Sequence, residues 1–363
     1  MKKIRFGILG SGFMGRTHAE AVRRLPNAQL VAVSGGSRAP ALAERYGMAF
    51  EADRSKLLAR SDIDAVVVTT PHHVHVEEVL GALATGKHVL VEKPMATTVA
   101  DCDLMIRAAK AKCLTLAVGY QQRFRVNNAR ACALIHEGAI GQVVAVQVSM
   151  PMYAGTIKAG GFGGNWAWWN DPASVGHVIN SAPHAIDLLR WFTGGDVVTV
   201  SAFSRTLLPD IKVEDTTLAL LEFSTGAICS LFSSRALPAP SFPGEDFRFR
   251  IVGRTGLLDL DAYTELRISD AEGWRVVSQQ PPVKHEGADT AFADVRMQAY
   301  CDQISAFIDG IEGRQNKAGT GPDGRAAVEA CVAMLESSAS KRWIFPRQVA
   351  ATPPSQSTVT RAQ

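Results

Sequence analysis

The stretch that most constrains this chain is Ile4-Arg-Phe-Gly-Ile-Leu-Gly-Ser-Gly-Phe-Met-Gly15, a short apolar run that breaks into glycines at Gly10, Gly12 and Gly15. The chain then continues with Ala19, Val22 and Leu25 at helical spacing, so a buried strand turns directly into a helix. Three glycines in that setting form a dinucleotide fingerprint. The first makes the tight turn, the second lets backbone approach a pyrophosphate, and the third lets helix and strand pack closely. The phosphates would rest on unpaired N–H groups at the helix N-terminus. Contacts to the nucleotide are expected from Gly10, Gly12, Phe13, Met14 and Gly15.

The alternation of strand and helix then repeats. Gln29 to Val33, Asp64 to Pro71, Gly86 to Pro94 and Leu114 to Gly119 read as further buried strands, separated by helical stretches. Strands alternating with helices predict a doubly wound parallel sheet of Rossmann type, with ligands at the C-terminal strand ends. Those ends carry Ser34, Ser37, Arg38, Thr70, Pro71, His72, His75, Glu92, Lys93 and Gln121, which are assigned to the nucleotide. No carboxylate lies between Leu30 and Ala43, where a ribose-binding Asp or Glu usually sits. Ser34, Ser37 and Arg38 suit a 2′-phosphate instead, so the preferred cofactor is NADP, with NAD the other choice. The three histidines at 72, 73 and 75 have no carboxylate or cysteine beside them, so no metal is expected.

With 363 residues, 47% apolar and 20% charged, the chain has room for two domains and an ample core. Its net charge of +3 comes from interspersed charges without a basic block, so neither nucleic acid nor an anionic membrane is an expected partner. No apolar stretch approaches the roughly 20 residues of a membrane helix. The six cysteines form no C-x-x-C pair, which fits a reducing cytoplasm. The expected division is a dinucleotide-binding domain over residues 1–124, an α+β domain over 125–345, and a polar tail over 346–363. Alternating segments from Gln142 to Ser278 predict that the second domain holds a large, mainly antiparallel open sheet.

At Glu92-Lys93-Pro94 the sequence resembles the glucose-fructose oxidoreductase / inositol dehydrogenase (Gfo/Idh/MocA) family. The resemblance takes in the glycine turn, Thr70-Pro71 with His75, Gly119-Tyr120-Gln-x-Arg123-Phe124, Ile140-Gly141 and Pro183-His184-Ala-Ile-Asp187. It implies an NAD(P)-dependent dehydrogenase that moves a hydride between nicotinamide and a secondary alcohol carbon of a sugar, glycoside or cyclitol. It also implies a homo-oligomer, dimer or tetramer, built through the second domain's sheet. By resemblance Lys93 stands beside the reacting oxygen and His184 takes the hydroxyl proton, with Tyr120 and Arg123 near the substrate.

One position departs from the family pattern Asp-x-Gly-x-His: this chain reads Asn180-Ser-Ala-Pro-His184. Asn180 offers an acceptor but no charge, which leaves open a changed division of labour or a catalytically weak sensor or scaffold. Asp187, one turn beyond His184, is expected either to orient the imidazole or to cap the helix. The Gly-rich segment between Met150 and Val178 places Trp166, Trp168 and Trp169 in a long loop with Lys158, and indole faces stack well on sugars or flat rings. That loop would also suit a cyclic dihydrodiol.

Overall fold

The computed structural model describes residues 3–153, 170–238, 242, 247–281 and 292–346. The first part of the chain supplies six parallel strands: β1 (Ile4–Leu9), β2 (Ala28–Ser34), β3 (Ala49–Glu51), β4 (Ala65–Val68), β5 (His88–Val91) and β6 (Leu116–Val118). The second supplies β7 (Val143–Tyr153), β8 (Val197–Arg205), β9 (Thr216–Phe223), β10 (Ile228–Leu237), β11 (Arg248–Gly253), β12 (Leu257–Asp261), β13 (Glu265–Asp270) and β14 (Gly273–Gln279). A two-residue strand, β15 (Gly319–Thr320), comes last.

The first sheet runs β15-β6-β5-β4-β1-β2-β3, with β15 antiparallel at one edge. The order switches sides between β1 and β4, and such a switch point is where ligands of these sheets bind. β3 and β15 are too short for any hydrophobic period, so no sequence pattern marks them. The interior strands are near-continuous apolar runs because both faces are covered. Phe6 and Ile8 pack with Val33, Ile304 and Phe307, the last two from helix Asp294–Ile311. A helix from the far end of the chain thus completes the first sheet's core.

The second sheet runs β14-β13-β12-β11-β7-β10-β9-β8. It is antiparallel except where β10 lies parallel to β7. In β9 the residues Thr217, Ala219, Leu221 and Phe223 are buried while Leu218 and Leu220 face outward. Helices Pro183–Thr193 and Gly321–Ser340 lie near its buried face; Ala202 N–H donates to Ser337 Oγ at 3.0 Å. Both sheets therefore present strand ends and helix ends to the region where Lys93 meets Asn180.

Candidate active site

At the glycine turn two of the three glycines are fixed by space. Gly10 has φ +104°, and a Cβ there would lie 2.7 Å from Thr69 Oγ1. A Cβ on Gly15 would lie 2.1 Å from Gly10 O. Gly12 is open, with Arg38 Nη2 the nearest atom to a Cβ there at 3.7 Å. Helix Phe13–Arg23 starts at Gly12 with no side-chain cap, so its first N–H groups are available to an anion. Ser11 Oγ donates to Gly35 O at 2.8 Å and Gly10 N–H to Ser34 O at 2.8 Å, locking the two loops together. Ser34 is buried, whereas Ser37 and Arg38 are exposed on the loop. Phe13 lies under the Arg296 guanidinium at 4.8 Å, and Met14 packs on the first sheet's core. The cradle fits a dinucleotide phosphate. Thr70 Oγ1 and Gln121 Oε1, beyond the ends of β4 and β6 on either side of β5, lie buried without a partner.

The histidines after β4 differ from expectation. His72 Nε2 lies 2.7 Å from Ser174 O, and burial pushes its pKa down to about 3. His75 has Nδ1 2.9 Å from Pro94 O and Nε2 2.9 Å from Thr70 O. Burial favours its neutral ring, which donates to one of these carbonyls. Both rings are spent on backbone, and His75 ties the end of β4, with Thr70 and Pro71, to the Lys93-Pro94 corner. Glu92 is likewise turned inward, its Oε1 2.7 Å from His18 Nε2.

Lys93 Nζ donates to the backbone carbonyl of Asn180 at 2.7 Å. Asn180 belongs to the short helix His177–Ser181, so the group it offers is main-chain oxygen, and the Asp-to-Asn departure does not touch it. Burial lowers the Lys93 pKa to about 8, with Glu92 pulling upward and Arg235 pushing further down. His184 is buried in helix Pro183–Thr193, and its Nδ1 has no partner. Burial, then Lys93, then Arg125 hold its pKa well below the usual range, so its ring is neutral. The fold brings Lys93 to Asn180, 87 positions further along the chain, and to His184 in the next helix.

Tyr120 packs edge-on to His184 with ring centroids 6.1 Å apart, and its buried hydroxyl has no partner. Arg123, read as a substrate contact, is held by two carboxylates. Its Nε donates to Asp187 Oδ2 at 2.8 Å, and Nη2 lies 2.5 Å from Asp187 Oδ1 and 3.0 Å from Asp323 Oδ2. Asp187 accordingly neither orients His184 nor caps its helix. Lys158, Trp166, Trp168 and Trp169 lie outside the described residues.

Three residues at the site escaped sequence reasoning. His18 pairs with Glu92 across 74 positions. His177 Nδ1 lies 3.0 Å from Ser181 Oγ and its Nε2 3.0 Å from Ser233 Oγ. Arg235 is buried on β10, close enough to depress Lys93 and His177. The break in alternation at Ser233-Ser-Arg235, all buried, was the available signal for the last two.

Two family models match the chain. The first, described as an oxidoreductase family with an NAD-binding Rossmann fold, matches residues 4–120. The second, the GFO/IDH/MocA C-terminal domain, matches residues 128–259. Inositol 2-dehydrogenase of Rhizobium meliloti (strain 1021) is 29% identical over 355 residues, covering 94% of this chain and 98% of that protein. Among solved structures, aldose-aldose oxidoreductase from Caulobacter crescentus complexed with glycerol has a TM-score of 0.78 at 25% identity, covering 95% of this chain and 100% of that one. GenD2 from gentamicin A biosynthesis, in complex with NAD, has a TM-score of 0.80 at 25% identity, covering 96% and 97%.

Proposed function

Because this chain belongs to the Gfo/Idh/MocA oxidoreductase family, we propose that it is a nicotinamide-dependent dehydrogenase acting on a secondary hydroxyl or keto carbon of a sugar, glycoside or cyclitol. The observation that carries this reading is the Lys93 amine, held at 2.7 Å by the Asn180 carbonyl beside a neutral His184. When bound, the nicotinamide accepts or returns the hydride of the alcohol carbon. Lys93 handles the proton. With its pKa lowered to about 8, the free amine is well populated in mildly alkaline solution and accepts the hydroxyl proton of the substrate. In reverse the ammonium polarises the carbonyl oxygen and gives the proton back. The Asn180 carbonyl orients Nζ. The neutral His184 ring meets the substrate oxygen through one ring nitrogen, as donor or acceptor according to its tautomer, and it does not carry the charge. Asn at 180 leaves this lysine armed, which favours an enzyme over a scaffold.

We further propose NADP over NAD. The loop after β2 exposes Ser37 and Arg38, with Arg38 Nη2 reaching over Gly12, and offers no carboxylate to a ribose. The GenD2 structure holds NAD, so a direct measurement on this chain is needed to separate the two cofactors. Arg38→Ala should raise the KM for NADP about tenfold or more and leave that for NAD within a few-fold. Equal effects would overturn the cofactor assignment. A panel of polyols, sugars, glycosides and a cyclic dihydrodiol, followed by nicotinamide absorbance, tests the activity itself; no turnover of any member would defeat it. The outer face of the second sheet exposes Phe203, Leu218, Leu220 and Ile228, with Phe203 paired to Leu218 across strands. That apolar face supports assembly of two copies through the sheet. A monomer by sedimentation would contradict it.

A further inference from the structure

The buried His18–Glu92 pair takes no part in the proton handling by Lys93, yet it lies directly behind that lysine. Glu92 uses both carboxylate oxygens inside the protein: Oε1 lies 2.7 Å from His18 Nε2, and Oε2 accepts the Lys93 backbone N–H at 3.2 Å. His18 is fully buried and Glu92 nearly so. The backbone around the carboxylate is pared down to admit it. A Cβ on Gly119, at the end of β6, would fall 3.0 Å from Glu92 Oε1. The imidazole in turn stands edge-on against Tyr300 at 5.8 Å, and Tyr300 OH accepts from Arg296 at 3.4 Å.

We propose that Glu92, held from behind by His18, is a positioning residue for Lys93: it fixes the lysine's peptide and places one negative charge where it keeps the side-chain nitrogen aimed at the Asn180 carbonyl. The inference rests on Lys93 being the residue that moves the proton. A tie between the glycine-turn helix and the sheet needs hydrogen bonds only, and a glutamine at 92 would supply them. Support of the lysine needs the charge as well. The charged or titratable groups facing Lys93 are Glu92 from its own strand end, Arg235 from β10, and His72, His177 and His184 from the neighbouring turns and helices. Those facing His18 are Glu92, with Tyr300 and Arg296 on helix Asp294–Ile311. Among them Glu92 is the acid that faces both, so its charge is not replaced when it is neutralised.

The test reads the lysine directly and needs no turnover. Limiting acetic anhydride is applied to the full-length protein across pH, and acetylation of Lys93 is followed by mass spectrometry. The side chain is partly exposed, so the reagent can reach it. Glu92→Gln should lower the apparent pKa of Lys93 by about one unit or more. Gly119→Ala, which keeps every charge but presses on the carboxylate, should move it the same way by less. Should Glu92→Gln not fold, Gly119→Ala decides alone. A titration matching the wild type in whichever variant folds overturns the proposal. If instead Lys93→Ala retained full turnover, the proposed function would fail while the titration result stood on its own.

Discussion

Two charged clusters flank Tyr120, and they are built in opposite ways. On one side Arg123 sits between Asp187 and Asp323, with Arg190 on the far oxygen of Asp323 at 2.7 Å. Every charge there has its counter-charge, and the two arginines hold the Asp323 pKa down to about 2 despite burial. On the other side Lys93 has one carbonyl, His184 Nδ1 has no partner, and the Tyr120 hydroxyl has none either. Burial alone does not distinguish them, since Asp187 on one side and His184 on the other are both buried. Saturation does. A satisfied cluster fixes geometry, whereas an unsatisfied one leaves donors and acceptors for a molecule that comes and goes.

That contrast can be broken most forcefully at Lys93. Lys93→Met should leave the protein folded and able to bind the nicotinamide cofactor, while turnover falls between about 100- and 10,000-fold. A variant that lost folding instead would place Lys93 in the structural cluster. Asp187→Asn is the converse. It strips a buried guanidinium of its main partner and should cost about 3–5 kcal/mol in denaturant unfolding, with kcat per folded molecule little changed. A stable variant with a collapsed kcat would erase the distinction. The smallest effect is expected at the boundary. Tyr120→Phe removes an unpartnered hydroxyl and should shift stability by no more than about 1 kcal/mol. If kcat falls while stability holds, the hydroxyl belongs to the open side and meets the substrate.

Local pattern accounts for what the sequence showed, and contact across the fold for what it hid. The glycine turn, the apolar strands and the Glu92-Lys93-Pro94 corner are contiguous, so their residues carry the signal themselves. β3 and β15 are three and two residues long, shorter than any periodicity. The destination of Arg123 lies 64 positions away at Asp187, and that of Glu92 lies back on the glycine-turn helix. Neither follows from spacing. Asn180 shows a different limit. Its side chain drew the argument about a lost charge, but the working atom is its main-chain oxygen, which residue identity does not encode. His72 and His75 after β4 looked open to ligand because a strand end usually is; here backbone carbonyls accept from or face their rings.

In the proposed reaction Lys93, its pKa lowered by burial, moves the proton. The pH dependence of kcat/KM for alcohol oxidation measures it most directly. It should rise with an apparent pKa near 8, set by Lys93, with that limb gone from the residual activity of Lys93→Met. A wild-type profile flat through that region, or a limb that survives in Lys93→Met, would contradict it.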